Sequence, residues 1–242
     1  TGGTTTYNWT INNTTIGLAA SGSGSIPVFT PINNGTAPIT ATVTVTPSFS
    51  NGGTPCAGTP KTFTITINPR GQVNTISNQI ICNGGSTAAV AFSTTIIGTT
   101  SYSWTNTNSS IGIGLTGNTN IPTFVGANSS NSPTVGNFVV TPTFTNASVS
   151  CPGPTQPFSI TVNPVPQVNT ISNQIVCHSG LTTLVNFTTT NTGSGAVSYN
   201  WTNDTPSIGL AASGSGNITG FSATNIGTAP IIAIITVTPS YT

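Results

Sequence analysis

Charge is what this sequence lacks. Only 1% of its 242 residues are charged, where an average soluble domain carries about 25%. Lys61, Arg70 and Asp204 make up the whole inventory, His178 is the one imidazole, and Glu and Met are absent. A paired-carboxylate hydrolase, a Ser-His-Asp triad, a lysine-based phosphate site or a His/Asp metal cage each needs more such groups than the chain holds. No catalytic, cofactor-binding or metal-binding residue is therefore assigned, and the chain reads as a non-enzyme. A formal net charge of +1 leaves too few cations to neutralise a run of phosphates, which excludes nucleic acid as a partner. Long apolar runs are also missing. Ile231-Ile232-Ala233-Ile234-Ile235 is far shorter than the roughly 20 residues of a membrane span, and the first residues have neither the basic nor the apolar region of a signal peptide. No helical periodicity of useful length occurs.

What the chain has instead is threonine, 50 residues of it, within a composition that is 35% hydrophobic. Such a chain can bury a core and is not a disordered polar polymer. It also contains partial copies of itself. Trp9, Trp104 and Trp201 each lie in a Tyr-x-Trp-Thr motif, spaced by 95 and then 97 residues. QVNTISNQIIC at Gln72–Cys82 returns as QVNTISNQIVC at Gln167–Cys177. IGLAASGSG at Ile16–Gly24 returns at Ile208–Gly216, with a divergent middle copy at Ile111–Thr119. The two extra residues of the last copy fall between Phe187 and Tyr199 and are expected in a surface loop.

Asn68-Pro69-Arg70-Gly71 and Asn163-Pro164-Val165-Pro166 read as linkers, since proline ends regular pairing and stiffens a short connection. Residues 1–70 then form a partial repeat lacking its first strands, 71–165 a complete one, and 166–242 a partial repeat lacking its last strand. The expectation is a window cut from a longer array, or a unit completed by strands of a neighbour. Within the complete repeat, runs rich in Val, Ile, Thr and Phe alternate with Gly, Asn, Ser and Pro clusters. This pattern predicts strands near 73–81, 87–95, 100–106, 110–115, 120–127, 135–144 and 156–163. Seven strands in about 95 residues predict a β-sandwich. Thr62-Phe63-Thr64-Ile65-Thr66-Ile67 and Thr42-Val43-Thr44-Val45-Thr46 alternate as half-buried strands do.

These residues resemble the PKD-like, immunoglobulin-like repeats of giant Bacteroidota cell-surface proteins, including gliding-motility adhesins exported by the type IX route. The resemblance rests on Tyr199-Asn200-Trp201-Thr202-Asn203-Asp204, IGLAASGSG, Ile235-Thr236-Val237-Thr238-Pro239, and Cys56-Ala57-Gly58-Thr59-Pro60-Lys61-Thr62-Phe63 followed by Ile65-Thr66-Ile67-Asn68-Pro69. It covers essentially the whole chain. It implies an all-β fold of tandem immunoglobulin-like (PKD-like) β-sandwich repeats at the bacterial cell surface. Standard PKD domains carry a Trp-Asp-Phe-Gly-Asp-Gly motif, and here Thr and Asn stand in place of its acids.

The three tryptophans are expected to plug the core between sheets. Asp204 has Thr107 and Asn12 as counterparts, His178 has Asn83, Lys61 has Gln156 and Arg70 has Val165, so all four read as surface or turn residues. Cys56, Cys82, Cys151 and Cys177 do recur, two per repeat, which favours disulfides in an oxidising setting over metal binding. Strand parity favours pairing between consecutive repeats over Cys82 with Cys151, because those two fall at opposite ends of one sandwich. Sequons at Asn8, Asn108, Asn128, Asn186 and Asn217 are numerous enough to arise by chance. Ser21-Gly22-Ser23-Gly24 reads as a turn, without the Lys of a phosphate loop.

Three functions follow as expectations. The first is a structural segment of a long extracellular fibre or adhesin stalk, partnered by further copies of the same repeat. The second is a self-assembling filament in which neighbouring chains exchange strands. The third is glycan or ice binding by a flat Thr-x-Thr face. No receptor is legible.

Overall fold

The computed structural model describes residues 2–242. Its elements recur in the order the repeats predict. The first unit contains β1 (Thr4–Ile11), β2 (Ser21–Ser23), β3 (Ile39–Asn51), β4 (Thr54–Ala57) and β5 (Lys61–Ile67). The middle unit contains β6 (Gln79–Cys82), β7 (Thr99–Asn106), β8 (Thr116–Gly117), β9 (Thr134–Asn146), β10 (Val149–Pro152) and β11 (Gln156–Asn163). The third contains β12 (Val197–Asn203), β13 (Ser213–Ser215) and β14 (Ile235–Tyr241). Three-residue 3-10 turns at Thr14–Ile16, Ser109–Ile111 and Pro206–Ile208 are the helical content among the described residues. The architecture is nearly all-β, largely antiparallel, and consistent with a β-sandwich.

Each unit has its own sheet. In the middle one the strand order is β6-β11-β9-β7-β8, with β10 also on β9. The long β9 pairs with β7 along one edge. Its other edge is shared, β11 covering Thr134–Val140 and β10 covering Thr143–Asn146. Pro142 falls between the two partners, where a residue without an N–H interrupts no ladder. Its carbonyl accepts from Gly153 N–H at 2.9 Å, and Pro47 accepts from Gly58 in the same way at 2.8 Å. The first strand of the unit, β6, lies parallel to the last, β11, with Cys82 opposite Asn163.

Opposite the middle sheet the chain is extended but sparsely paired, with single bridges Ser86↔Val125 and Val90↔Ile121. The strands expected at 87–95 and 120–127 are reduced to these bridges, and the one expected at 73–81 is a ladder only from Gln79 to Cys82. The strand expected at 110–115 is absent. Asn108 Oδ1 accepts from Ser110 N–H, starting a 3-10 turn there, and Gly112 at φ 105° ends it. A Cβ on Gly112 would meet the Val125 carbonyl at 2.4 Å, so this turn requires glycine.

Alternation along β9 and β11 places Phe138, Val140, Phe158, Ile160 and Val162 in the core with Trp104, Ile111 and Ile121. Phe138 stacks on Phe158 with ring centroids 4.8 Å apart, within the favourable range for aromatic pairs. Trp9 and Trp201 occupy the cores of the outer units. Each indole lies over a glycine of the neighbouring strand: Trp9 over Gly22, Trp104 over Gly117 and Trp201 over Gly214. A Cβ at those glycines would come within 2.3–2.4 Å of the ring. The Trp-Gly pair is thus one packing unit, and SGSG supplies its glycine half in the first and third units. Trp104 Nε1 donates to the Thr119 carbonyl at 2.9 Å, whereas the buried Nε1 atoms of Trp9 and Trp201 have no acceptor.

Candidate functional site

The polar side chains that recur gather at loop ends and at the junctions between units. Asn128 is buried, at 6% exposure. Its Nδ2 donates to the Val162 carbonyl at 2.7 Å and the Ser132 carbonyl at 2.8 Å, while its Oδ1 accepts from Ser130 N–H. Asn33 does the same in the first unit, donating to Ile67 and Ala37 and accepting from Gly35 N–H. Asn225 keeps the local half, donating to Ala229 and accepting from Gly227 N–H. This asparagine clasps a loop onto the end of the last strand. That satisfies carbonyls which burial would otherwise leave unpaired, at a cost of about 1–3 kcal/mol each.

The clasped loop carries the junction. Ile97 N–H donates to the Thr36 carbonyl at 2.6 Å, and Thr192 N–H donates to the Asn131 carbonyl at 2.7 Å. These are the same bond, made once at each joint. Pro69 and Pro164 are fully buried beside it. The first joint adds Asn146 Nδ2 to Asn68 Oδ1 at 2.8 Å and Gly71 N–H to the Cys151 carbonyl at 3.0 Å. Pro166 takes the place of Gly71 at the second joint and has no N–H to give. There Asn191 donates to the Val165 carbonyl at 3.0 Å and accepts from Gln167 N–H at 2.7 Å. The two inserted residues lie in this region, with Gly193 and Ser194 exposed.

The isolated ionisable residues have roles that residue identity concealed. Asp204 Oδ1 accepts from Ile234 N–H at 2.8 Å, as Asn12 Oδ1 does from Thr42 at 2.8 Å and Thr107 Oγ1 from Asn137 at 3.0 Å. That bond and one from the Thr205 hydroxyl hold the Asp204 carboxyl below its usual range, since both favour the charged form. His178 Nδ1 accepts from Asn225 N–H at 3.1 Å, where Asn83 Oδ1 accepts from Asn128 N–H at 2.7 Å. Asp204 and His178 are exposed, as expected of surface or turn residues, and what repeats at both positions is an acceptor atom, not a residue type. Lys61 is exposed at the start of β5, opposite Val45. Arg70 is exposed beside the first joint and borders a groove with Ile32, Asn33, Ile67, Asn68 and Cys151.

The four cysteines are free. Their regular spacing does not bring any two of them together, so the Cys82–Cys151 bridge, the disfavoured alternative, is not formed. Cys82 lies opposite Asn163 at the end of β11, while Cys151 precedes the start of that strand. The eight residues of β11 span roughly 25 Å, against a limit of about 7 Å between bridged Cα atoms. Among the described residues no group of three or more His, Cys, Asp or Glu could hold a metal ion, and no helix is long and apolar enough to cross a membrane.

A threonine lattice is present on the first unit. Thr44 lies opposite both Thr10 and Thr62, Thr42 opposite Thr64, and Thr40 opposite Thr66, the last pair bonded at 2.9 Å. In the middle unit Val135, Asn137 and Val139 interrupt the corresponding face, with both valines exposed. The lattice is therefore not a property of the repeat. Of the sequons, Asn8 is exposed, whereas the amide of Asn128 is consumed by its clasp. No protein-family model matches the chain, and no curated protein is similar to it.

Proposed function

We propose that the chain is a structural segment of a long extracellular fibre or adhesin stalk on a bacterial surface, built from tandem immunoglobulin-like, PKD-like repeats. The observation that carries this reading is the parallel pairing of β6 with β11, the first and last strands of the middle unit. Chain enters at one end of that pair and leaves at the other. Tension along the array then loads the ladder in shear, so its bonds resist together. Buried prolines and the repeated backbone bond at each joint limit bending, and each added unit adds length. The neutral surface fits a spacer, whose work lies in reach and stiffness. The sequence resemblance supplies the cell-surface setting, with export by the type IX route, and the cysteines fit pairing across joints of a longer array.

Immunogold labelling of intact source cells with antibody to this chain tests the reading. Gold along thread-like surface structures is expected. Labelling confined to sectioned cell interiors overturns it.

A further inference from the structure

The three tryptophans pack alike, but their indole N–H groups are not satisfied alike. In the middle unit Trp104 Nε1 donates to the Thr119 carbonyl at 2.9 Å. Trp9 and Trp201 are 3% and 8% exposed, and their Nε1 atoms are buried without an acceptor. A buried donor left unpaired is costly. The residues at the position of Thr119 are Gly24 and Gly216, and there the turn runs differently. Gly24 sits at φ 75° and Gly216 at φ 68°, whereas Thr119 is not left-handed. The Gly24 N–H donates to the Tyr7 carbonyl at 2.8 Å, and the Gly216 N–H to the Tyr199 carbonyl at 2.9 Å. Each bond supports a third ladder pair, Asn8↔Ser23 in β2 and Asn200↔Ser215 in β13. β8 has two pairs, Trp104↔Gly117 and Thr105↔Thr116, and Thr119 N–H makes no such bond to Tyr102.

One chain thus holds two arrangements of one turn, an extended form with the longer ladder and a retracted form with the paired indole. Residue type decides between them. Left-handed backbone is costly for the β-branched Thr119, which keeps the middle unit retracted. Glycine takes either sign of φ. The first and third units surround the turn with different neighbours, β5 in one and the Val185↔Ile218 bridge in the other. Their common extended turn therefore follows from their common SGSG. Neither form satisfies every group in these two units. The extended form leaves the indole unpaired in the core. The retracted form gives up the glycine N–H bond, but Gly24 and Gly216 are exposed, so water takes its place.

We propose that the SGSG turns are two-state devices: each flips between its extended form and the form held at Thr119, in which the Gly24 carbonyl accepts from Trp9 Nε1 and the Gly216 carbonyl from Trp201 Nε1. β2 and β13 are the edge strands of their sheets. Each flip lengthens or shortens an exposed edge by one pair, and a shorter edge is a poorer template for another chain. The buried indole thereby sets how much edge the first and third units offer, while the edge of the middle unit is fixed. The device rests on no assignment of function and stands apart from the stalk reading.

The test follows the three indole N–H signals of the isotope-labelled full chain by NMR, with relaxation dispersion. Trp104 is expected to give one narrow signal, and Trp9 and Trp201 doubled or exchange-broadened ones. Gly24→Thr fits the available space, since a Cβ there meets nothing within 4 Å, but it disfavours the extended form. It narrows the Trp9 signal and moves it toward that of Trp104, leaving Trp201 unchanged. Gly216→Thr does the same for Trp201 alone. Thr119→Gly broadens the Trp104 signal, and this reverse substitution decides the matter where a threonine variant does not fold. Single narrow Trp9 and Trp201 signals without dispersion, signals that the threonine substitutions leave in place, or a Trp104 signal indifferent to Thr119→Gly overturn the proposal.

Discussion

Asp204 and Ile234 exchange two bonds: the Asp204 main-chain N–H donates to the Ile234 carbonyl at 3.2 Å, and its carboxylate accepts from the Ile234 N–H at 2.8 Å. Asn12 with Thr42 and Thr107 with Asn137 form the same ring. Three chemically different side chains thus perform one task, and the charge of the aspartate is incidental to it.

Stability is accordingly expected to be flat across the middle of the pH range and to fall at its ends. The lowered Asp204 value makes its contribution complete above the unfolded value of 3.8 and lost as pH falls further. Burial raises the Tyr102 phenol, so its contribution is present below the usual value of 10.0 and is lost as pH rises above it. Thermal melts from acid to alkaline pH check this. Asp204→Asn shallows the acid limb without changing the neutral melting temperature, and Tyr102→Phe shallows the alkaline limb.

Gly117→Ala is expected to destabilise the middle unit by about 1–3 kcal/mol, because the added methyl must displace the Trp104 ring from a filled core. Urea denaturation followed by tryptophan fluorescence measures it. A smaller loss than that of a solvent-facing Gly114→Ala control contradicts the packing argument, since a Cβ on Gly114 meets nothing within 4 Å.

Asn128→Ala leaves the Val162 and Ser132 carbonyls without their donor and is expected to cost about 1–3 kcal/mol for each that burial keeps from water. It also loosens the loop that carries the Asn131 carbonyl. Hydrogen exchange at the Thr192 amide therefore accelerates more than exchange within β7, and equal acceleration of both is the contrary result.

The β9–β10 turn holds Ala147 and Ser148 at φ 47° and 65°, where the first unit has Gly52 and Gly53 at 62° and 87°. Left-handed backbone costs an ordinary residue roughly 1–2 kcal/mol, and Asn-Gly is favoured in such two-residue hairpins. Ala147→Asn combined with Ser148→Gly is expected to raise stability by about 1 kcal/mol, read from the urea midpoint.

Much of this architecture was legible in the sequence because it follows from period and packing. The repeats, the proline linkers and the threonine-flanked strand Thr62–Ile67 all announce themselves. The β9–β10 hairpin did not, since Ala147-Ser148 lacks the glycine that marks Gly52-Gly53. The turn at Ser109–Ile111 falls where the composition predicts a strand near 110–115, because its signal is Asn108 acting as a cap and Gly112 closing it, not the apolar residues between. The clasps were hidden for a different reason. Alignment by identity sees Asn83 against His178 and Thr107 against Asp204 as mismatches, whereas the backbone N–H they serve sees an acceptor at the right distance.

The bond from Ile97 to Thr36 and its copy from Thr192 to Asn131 give the two joints one contact in common. A rigid displacement applied again and again is a screw, so in a longer array that kept one displacement at every joint this shared contact would help to set the pitch. The two residues inserted beside Thr192 lie on that contact. Loop length at this one place is thus a means of tuning the coil of a thread without altering the units that compose it.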